Sequence, residues 1–410
     1  MSSSSSEEDI EFLKEQYRKR FPAGEKLSKI SSLINWEKFR PILDPLFKNN
    51  GEGRPHEGVV LMTKALVLQS WYGISDERIE TECEDRLTFQ NFLDYPKKVP
   101  DARTVWLFRE RIAKQQGKEK EIWSELQRQL DKYSLKVKQG KAQDVVFIER
   151  GGWRAEGVQG PIVPIALHAG TAQDSTIIDA DPGPPTEEDI KRREEAKKKR
   201  EERKRRKEMI AEAQEAAPVQ KNENPPVGTT TADDHARRQQ QPASAPTKKK
   251  IETKPRGVQA HTRRSKDGSW TKKNERSFFG YKLHSKSNLF TGFLSDFDVT
   301  TASVHDENID LTKKGEPCVR DMGYTNGGGK NMCITMIRAS PGVPLTEKQK
   351  ELNSFLSKVR APVEHPYAVM KRIFRGGRVL VTTISRVKVK MTFLRTCYNL
   401  FRAHTLSRMN

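Results

Sequence analysis

SKVRAPVEHPYAVMKRIF, residues 357–374, sets an arginine, a glutamate and a lysine at the spacing R-x3-E-x6-K, as Arg360, Glu364 and Lys371. Its apolar positions predict a helix from about residue 362. Seven residues make nearly two full turns, so Glu364 and Lys371 would share one helix face. A carboxylate able to hold a cation and an ammonium able to hold a phosphate then point the same way.

Two more carboxylates stand in strand-like runs, where acids are otherwise costly. Asp174 lies in TAQDSTIIDADPG (171–183), and Asp321 ends the apolar run of EPCVRDMGYTN (316–326). If two strands and one helix start converge, the three acids form a hard oxygen cage of the kind Mg2+ takes, with Mn2+ as the alternative. A pair of such ions about 3.5 to 4 Å apart can activate an attacking oxygen and stabilise a leaving one in phosphodiester displacement. Taken singly, each acid also reads as a turn or cap residue. The triplet Ala-Gln-Asp occurs a second time in KAQDVVFIERGG (141–152), which makes Asp144 a rival to Asp174.

With Arg360, Glu364 and Lys371, the chain resembles the DDE-type insertion-sequence transposases of the prokaryotic grouping that carries a Y-x2-R-x3-E-x6-K signature. Ser357 stands where that signature has tyrosine. SFFGYKLHSK (277–286), VTTASVHDENIDL (299–311) and VRDMGYTNGG (319–328) are similar to the strand and second-acid blocks of these enzymes, and QDSTIIDADPG to their first-acid strand. The resemblance implies Asp174, Asp321 and Glu364 as catalytic and metal-binding acids, with Asp144 the alternative to the first. It also implies an RNase H-like catalytic domain, a mixed α/β (α+β) sheet flanked by helices, working on DNA in two steps. Hydrolysis at an element end frees a 3′-hydroxyl, and that hydroxyl then attacks target DNA. A homodimer holding terminal inverted repeats is expected on the same ground.

Charge suggests further contacts. Arg360, Lys371 and Arg372 are expected at phosphates, and Lys282, His284 and Lys286 at the DNA backbone. His305 and Asp306 resemble an acid–base pair, although a turn cap beside a packed imidazole explains them as well.

Upstream, residues 33–133 repeat apolar positions at helical spacing, as in VVLMTKALVLQSWYGI (59–74), which predicts an all-helical domain. Asp101 precedes ARTVWLFRERIAK (102–114) as a candidate N-cap. That helix is either a recognition helix presenting Arg103 and Arg109 to DNA, or a core helix with Val105, Trp106 and Phe108 inward. Residues 184–258 are charged, then rich in Pro, Gln and Thr, and read as a disordered insertion. The expected division is 1–32 polar tail, 33–140 helical DNA-binding or assembly domain, 141–183 and 259–410 catalytic domain, and 184–258 insertion.

The chain's 410 residues carry 75 Lys and Arg against 55 Asp and Glu, a formal charge of +20, which favours a polyanionic partner and makes DNA the first candidate. Cys83, Cys318, Cys333 and Cys397 form no CxxC pair, so neither a zinc site nor a disulfide framework is suggested. No apolar run reaches membrane length and the first residues lack a signal-peptide layout, so a cytoplasmic, nucleoid-associated protein is expected. Two other readings stay open: a catalytically inactive, transposase-derived DNA-binding protein, and an RNase H-like nuclease that cuts without joining.

Overall fold

The computed structural model describes residues 7–47, 58–140, 147–149, 164–166, 170–182, 265–273, 275–313, 316–321, 324, 333–339 and 342–408, with isolated helical positions between 191 and 209. Asp144 and most of the 184–258 insertion lie outside them. Residues Met1–Pro182 and Arg263–Asn410 belong to one compact unit, and the fold described below is that of its described residues.

The N-terminal third is helical, as its apolar periodicity requires. Its longest helices are Lys118–Gly140, Glu7–Arg20, Val59–Tyr72 and Ala102–Lys114. Two helices, Glu7–Arg20 and Lys26–Ser31, occur where a polar tail was expected. The first is too charged to announce itself by periodicity; the second buries Leu27 and Ile30 and is capped by Glu25, whose carboxylate accepts from the Leu27 and Ser28 N–H groups. Asp101 caps Ala102–Lys114 as expected, its Oδ1 accepting from Thr104 N at 2.7 Å. Val105 and Phe108 of that helix are buried, whereas Trp106 is exposed.

Strands β1 (Phe147–Glu149) and β2 (Pro164–Ala166) pair antiparallel as a separate ribbon. The main sheet is mixed. It comprises β3 (Thr171–Ala180), β4 (Ser269–Lys273), β5 (Arg276–Asn288), β6 (Leu294–Thr301), β7 (Cys318–Arg320), β8 (Cys333–Thr335) and the short β9 (Arg378–Val379). β5 runs antiparallel to β3, β4 and β6, while β7 and β9 run parallel to β3, and β8 parallel to β7. Of the strand-like RVLVTTI run, only Arg378–Val379 enters the sheet.

Helix Glu347–Arg360 packs on β7, and the terminal helix Ile384–Ser407 packs on β6 and on four helices of the N-terminal region, Lys26–Ser31 among them. Val387, Met391, Leu394, Cys397 and Leu400 are buried on several faces of this last helix, which marks it as interior. One continuous apolar core therefore joins the helical region to the sheet. At the junction the buried Arg395 guanidinium lies 3.9 Å from the Trp123 ring centroid and 4.0 Å from that of Phe297. Trp123 Nε1 donates to Ser295 O at 2.5 Å. Among the described residues no helix is long and apolar enough to cross a membrane.

Gly280 of β5 allows the closest approach in the sheet. Its φ is +154°, and a Cβ there would fall 2.1 Å from Ile178 O on β3. Gly280→Ala is expected to lower the unfolding free energy in urea by about 2 to 3 kcal/mol or to prevent folding. A loss below about 0.5 kcal/mol would mean that the β3–β5 pairing tolerates the side chain.

Candidate active site

Three carboxylates from distant parts of the chain meet at one guanidinium. Asp174 sits in β3, Asp321 directly after β7, and Glu364 at the first position of helix Glu364–Arg372. Arg360 Nη1 lies 3.2 Å from Asp174 Oδ2, and its Nη2 lies 3.9 Å from Asp321 Oδ1 and 3.5 Å from Glu364 Oε1.

A small apolar cluster accounts for this convergence. Ala172, two residues before Asp174, and Val319, two before Asp321, pack with Leu352, Leu356 and Val363. Val363 immediately precedes Glu364. In a strand, residues two apart face the same way, so seating Ala172 and Val319 against the helix directs the two aspartates to that side. Pro362 breaks the path between Arg360 and Glu364 into two helices joined by the turn Ala361–Val363. Arg360 therefore ends one helix and Glu364 begins the next.

Tyr367 was not singled out in the sequence. It is buried, and its hydroxyl donates to the Asp174 main-chain oxygen at 2.7 Å, tying the Glu364 helix to β3. The only sequence signal is its position three residues after Glu364, on the adjoining part of the helix surface.

The acids differ in exposure. The Asp174 side chain is 17% exposed, Asp321 40% and Glu364 70%, while Arg360 is 13% exposed. Burial pushes the Asp174 carboxyl up to about 6, against the opposing pull of Arg360 and of the Ser175 N–H. Arg360 Nη1 is buried without an aligned hydrogen-bond acceptor, so charge rather than directed bonding holds it there. Among the described residues no three acidic, His or Cys side chains are grouped to hold a metal ion, because the guanidinium stands between these three. Three carboxylates against one guanidinium still leave an excess of two negative charges within this set of four. An all-oxygen donor set with that excess fits a hard divalent cation.

Several expected DNA contacts are placed otherwise. Lys286 is buried between Asp296 (2.8 Å) and Glu316 (2.6 Å), and Lys282 pairs with Asp306 at 3.0 Å and donates to Val304 O. His284 is buried against Thr300 Oγ1 at 2.9 Å; burial lowers its pKa to about 4, so it is neutral at pH 7. These three fill the interior of a strand covered on both faces instead of meeting a phosphate. Arg109 is likewise engaged, with both Asp76 oxygens within 3.0 Å. Lys371 is half-buried at the far end of β3, with Asp179 and Lys273 as charged neighbours, and does not join the acids. Arg103 and Arg372 are exposed. His305 caps the Asp306–Asn308 turn, as the plainer reading expects, but its imidazole is exposed rather than packed.

Comparison with known proteins gives three findings. A family described as Transposase domain (DUF772) matches residues 15–111, and a family described as Transposase DDE domain matches residues 233–400. The second match spans Asp321 and Glu364, while Asp174 lies before it. The transposase for insertion sequence element IS1106 of Neisseria meningitidis serogroup B is 28% identical over 152 residues, 34% of this chain and 52% of the relative, so the chain spans about half that relative's length. No solved structure gives a significant match. The mixed sheet, antiparallel through β6, β5 and β3 and parallel through β3, β7 and β8, is RNase H-like. Matched over its helical region and over most of its sheet, the chain belongs to the DDE-type insertion-sequence transposases.

Proposed function

We propose that the chain is a DNA transposase that binds the ends of its element and catalyses phosphodiester hydrolysis and strand transfer. The convergence of Asp174, Asp321 and Glu364 on Arg360 carries this reading. The three acids would hold the divalent ion, Mg2+ or Mn2+, which supplies Lewis acidity and stabilises charge on the attacking and leaving oxygens. Arg360 would move from the carboxylates to a phosphate, and exposed Arg372 would hold a second one. Tyr367 keeps the Glu364 helix registered on β3 while Arg360 moves. Hydrolysis at the element end leaves a 3′-hydroxyl as the nucleophile for joining to target DNA.

In this reading the helical region, 33–140 with the two helices before it, serves DNA binding or assembly, with Arg103 free to meet a phosphate. The catalytic domain comprises 141–183 and 259–410, interrupted by the 184–258 insertion. Terminal inverted repeats and target DNA are the partners, the active complex is a homodimer, and the protein works at the cytoplasmic nucleoid.

Asp174→Asn, Asp321→Asn and Glu364→Gln should each reduce metal-dependent nicking of a terminal-repeat duplex at least about a hundredfold, with duplex affinity within a few-fold of wild type. Nicking retained in all three would refute the assignment. Joining of precut 3′-hydroxyl ends to a target plasmid separates transposition from simple nuclease action.

Arg360→Gln removes the cation that competes for the carboxylates. Mn2+ binding without DNA, followed by electron paramagnetic resonance, should then tighten by roughly tenfold, as expected when a nearby like charge is lost, while nicking falls. Unchanged or weaker Mn2+ binding would show that Arg360 does not occupy the ion's place.

A further inference from the structure

The helix Lys26–Ser31 and the last turns of Ile384–Ser407 enclose an open groove of about 840 Å3 whose charged lining is entirely cationic: Lys26, Lys29, His404 and Arg408. Ser32 and Thr405 add hydroxyls between them. Among the described residues no carboxylate lines the groove, and the nearest one in sequence, Glu25, is committed to the N–H groups of Leu27 and Ser28. Among the described residues none of these cations forms an ion pair; the Lys26 ammonium rests on aromatic faces instead, 4.5 Å from the Phe401 ring centroid and 5.8 Å from that of Trp71.

Positive groups gathered without a counter-charge repel one another, and the titration of the groove registers this. Burial lowers the His404 pKa, and Lys26, Arg408 and Lys29 lower it further. Burial also depresses Lys26. An anion in the groove would relieve each of these costs. The hydroxyl protons are already committed, Ser32 Oγ donating to Lys29 O at 2.8 Å and Thr405 Oγ1 to Phe401 O at 3.0 Å, so the cations are what suit a phosphate, which accepts charge-assisted bonds from them.

The groove is also linked to the acid site by one helix. The ring of His365, next to Glu364, stands edge-on to Tyr398 at 6.2 Å between centroids. Tyr398 precedes His404 by six residues, about 9 Å of helix rise.

We propose that this groove is a second DNA-backbone site, holding a phosphodiester away from the reacting bond through Lys26, Lys29, His404 and Arg408. The proposal rests on the reading of the chain as a DNA enzyme. It adds a contact that no acid-site residue supplies.

The test uses the full chain with Lys29→Glu and Arg408→Glu, both exposed positions, and their Gln counterparts. Duplex affinity at low salt should fall about tenfold in each Glu variant and less in each Gln variant. The slope of log affinity against log salt should become shallower by about one per charge removed. Melting temperature should stay at the wild-type level, which shows that the variants are folded. By NMR, a short duplex should raise the midpoint of the His404 imidazole titration, with the resonance assigned through His404→Gln. Unchanged affinity and slope in folded variants would overturn the proposal. So would a His404 midpoint that moves with inorganic phosphate but not with DNA, which would mark a free-phosphate site. If wild-type chain binds DNA with the expected slope but never nicks it, the enzymatic reading fails and the groove stands.

Discussion

Three carboxylates held within reach of one another need a positive charge between them, and in this chain Arg360 provides it. Without that guanidinium, Asp174 would be buried beside two like charges. Its pKa, already raised by burial, would have only the Ser175 N–H to pull it back. The apolar cluster of Ala172, Val319, Leu352, Leu356 and Val363 supplies the complementary constraint, fixing two strands and a helix turn so that the acids must face each other. Packing sets the positions, and Arg360 makes them electrostatically tolerable.

The terminal helix links this site to the rest of the molecule. Its buried residues serve the helical region and the sheet at once, and Arg395 between Trp123 and Phe297 pins the junction. Near its end the same helix contributes His404 and Arg408 to the cationic groove.

The acids were legible because their sequence context is unusual: apolar strands ending in aspartate, and a glutamate spaced from Arg360 and Lys371. Most strand segments were legible from alternation and turn residues, whereas their order in the sheet was not. Contacts that depend on tertiary placement were not legible. Lys286 and His284 look like basic surface residues, yet β5 is buried on both sides and its polar groups must find internal partners. Arg109 reads as a DNA contact until Asp76, 33 residues earlier, is seen to hold it. Lys371 shares a helix with Glu364, but two turns of separation carry it past the acids to the other end of β3. Tyr367 could be recognised only once β3 lay beneath its helix.

The central claim is that acids from three separate segments bind one metal centre. Fe2+ placed in that centre, with ascorbate and peroxide, generates hydroxyl radicals that cut the main chain nearby. The account predicts cuts near residues 174, 321 and 364 together, all suppressed by excess Mg2+ and all absent in Asp174→Asn. Cuts at only one of these segments, or cuts indifferent to Mg2+, would contradict it.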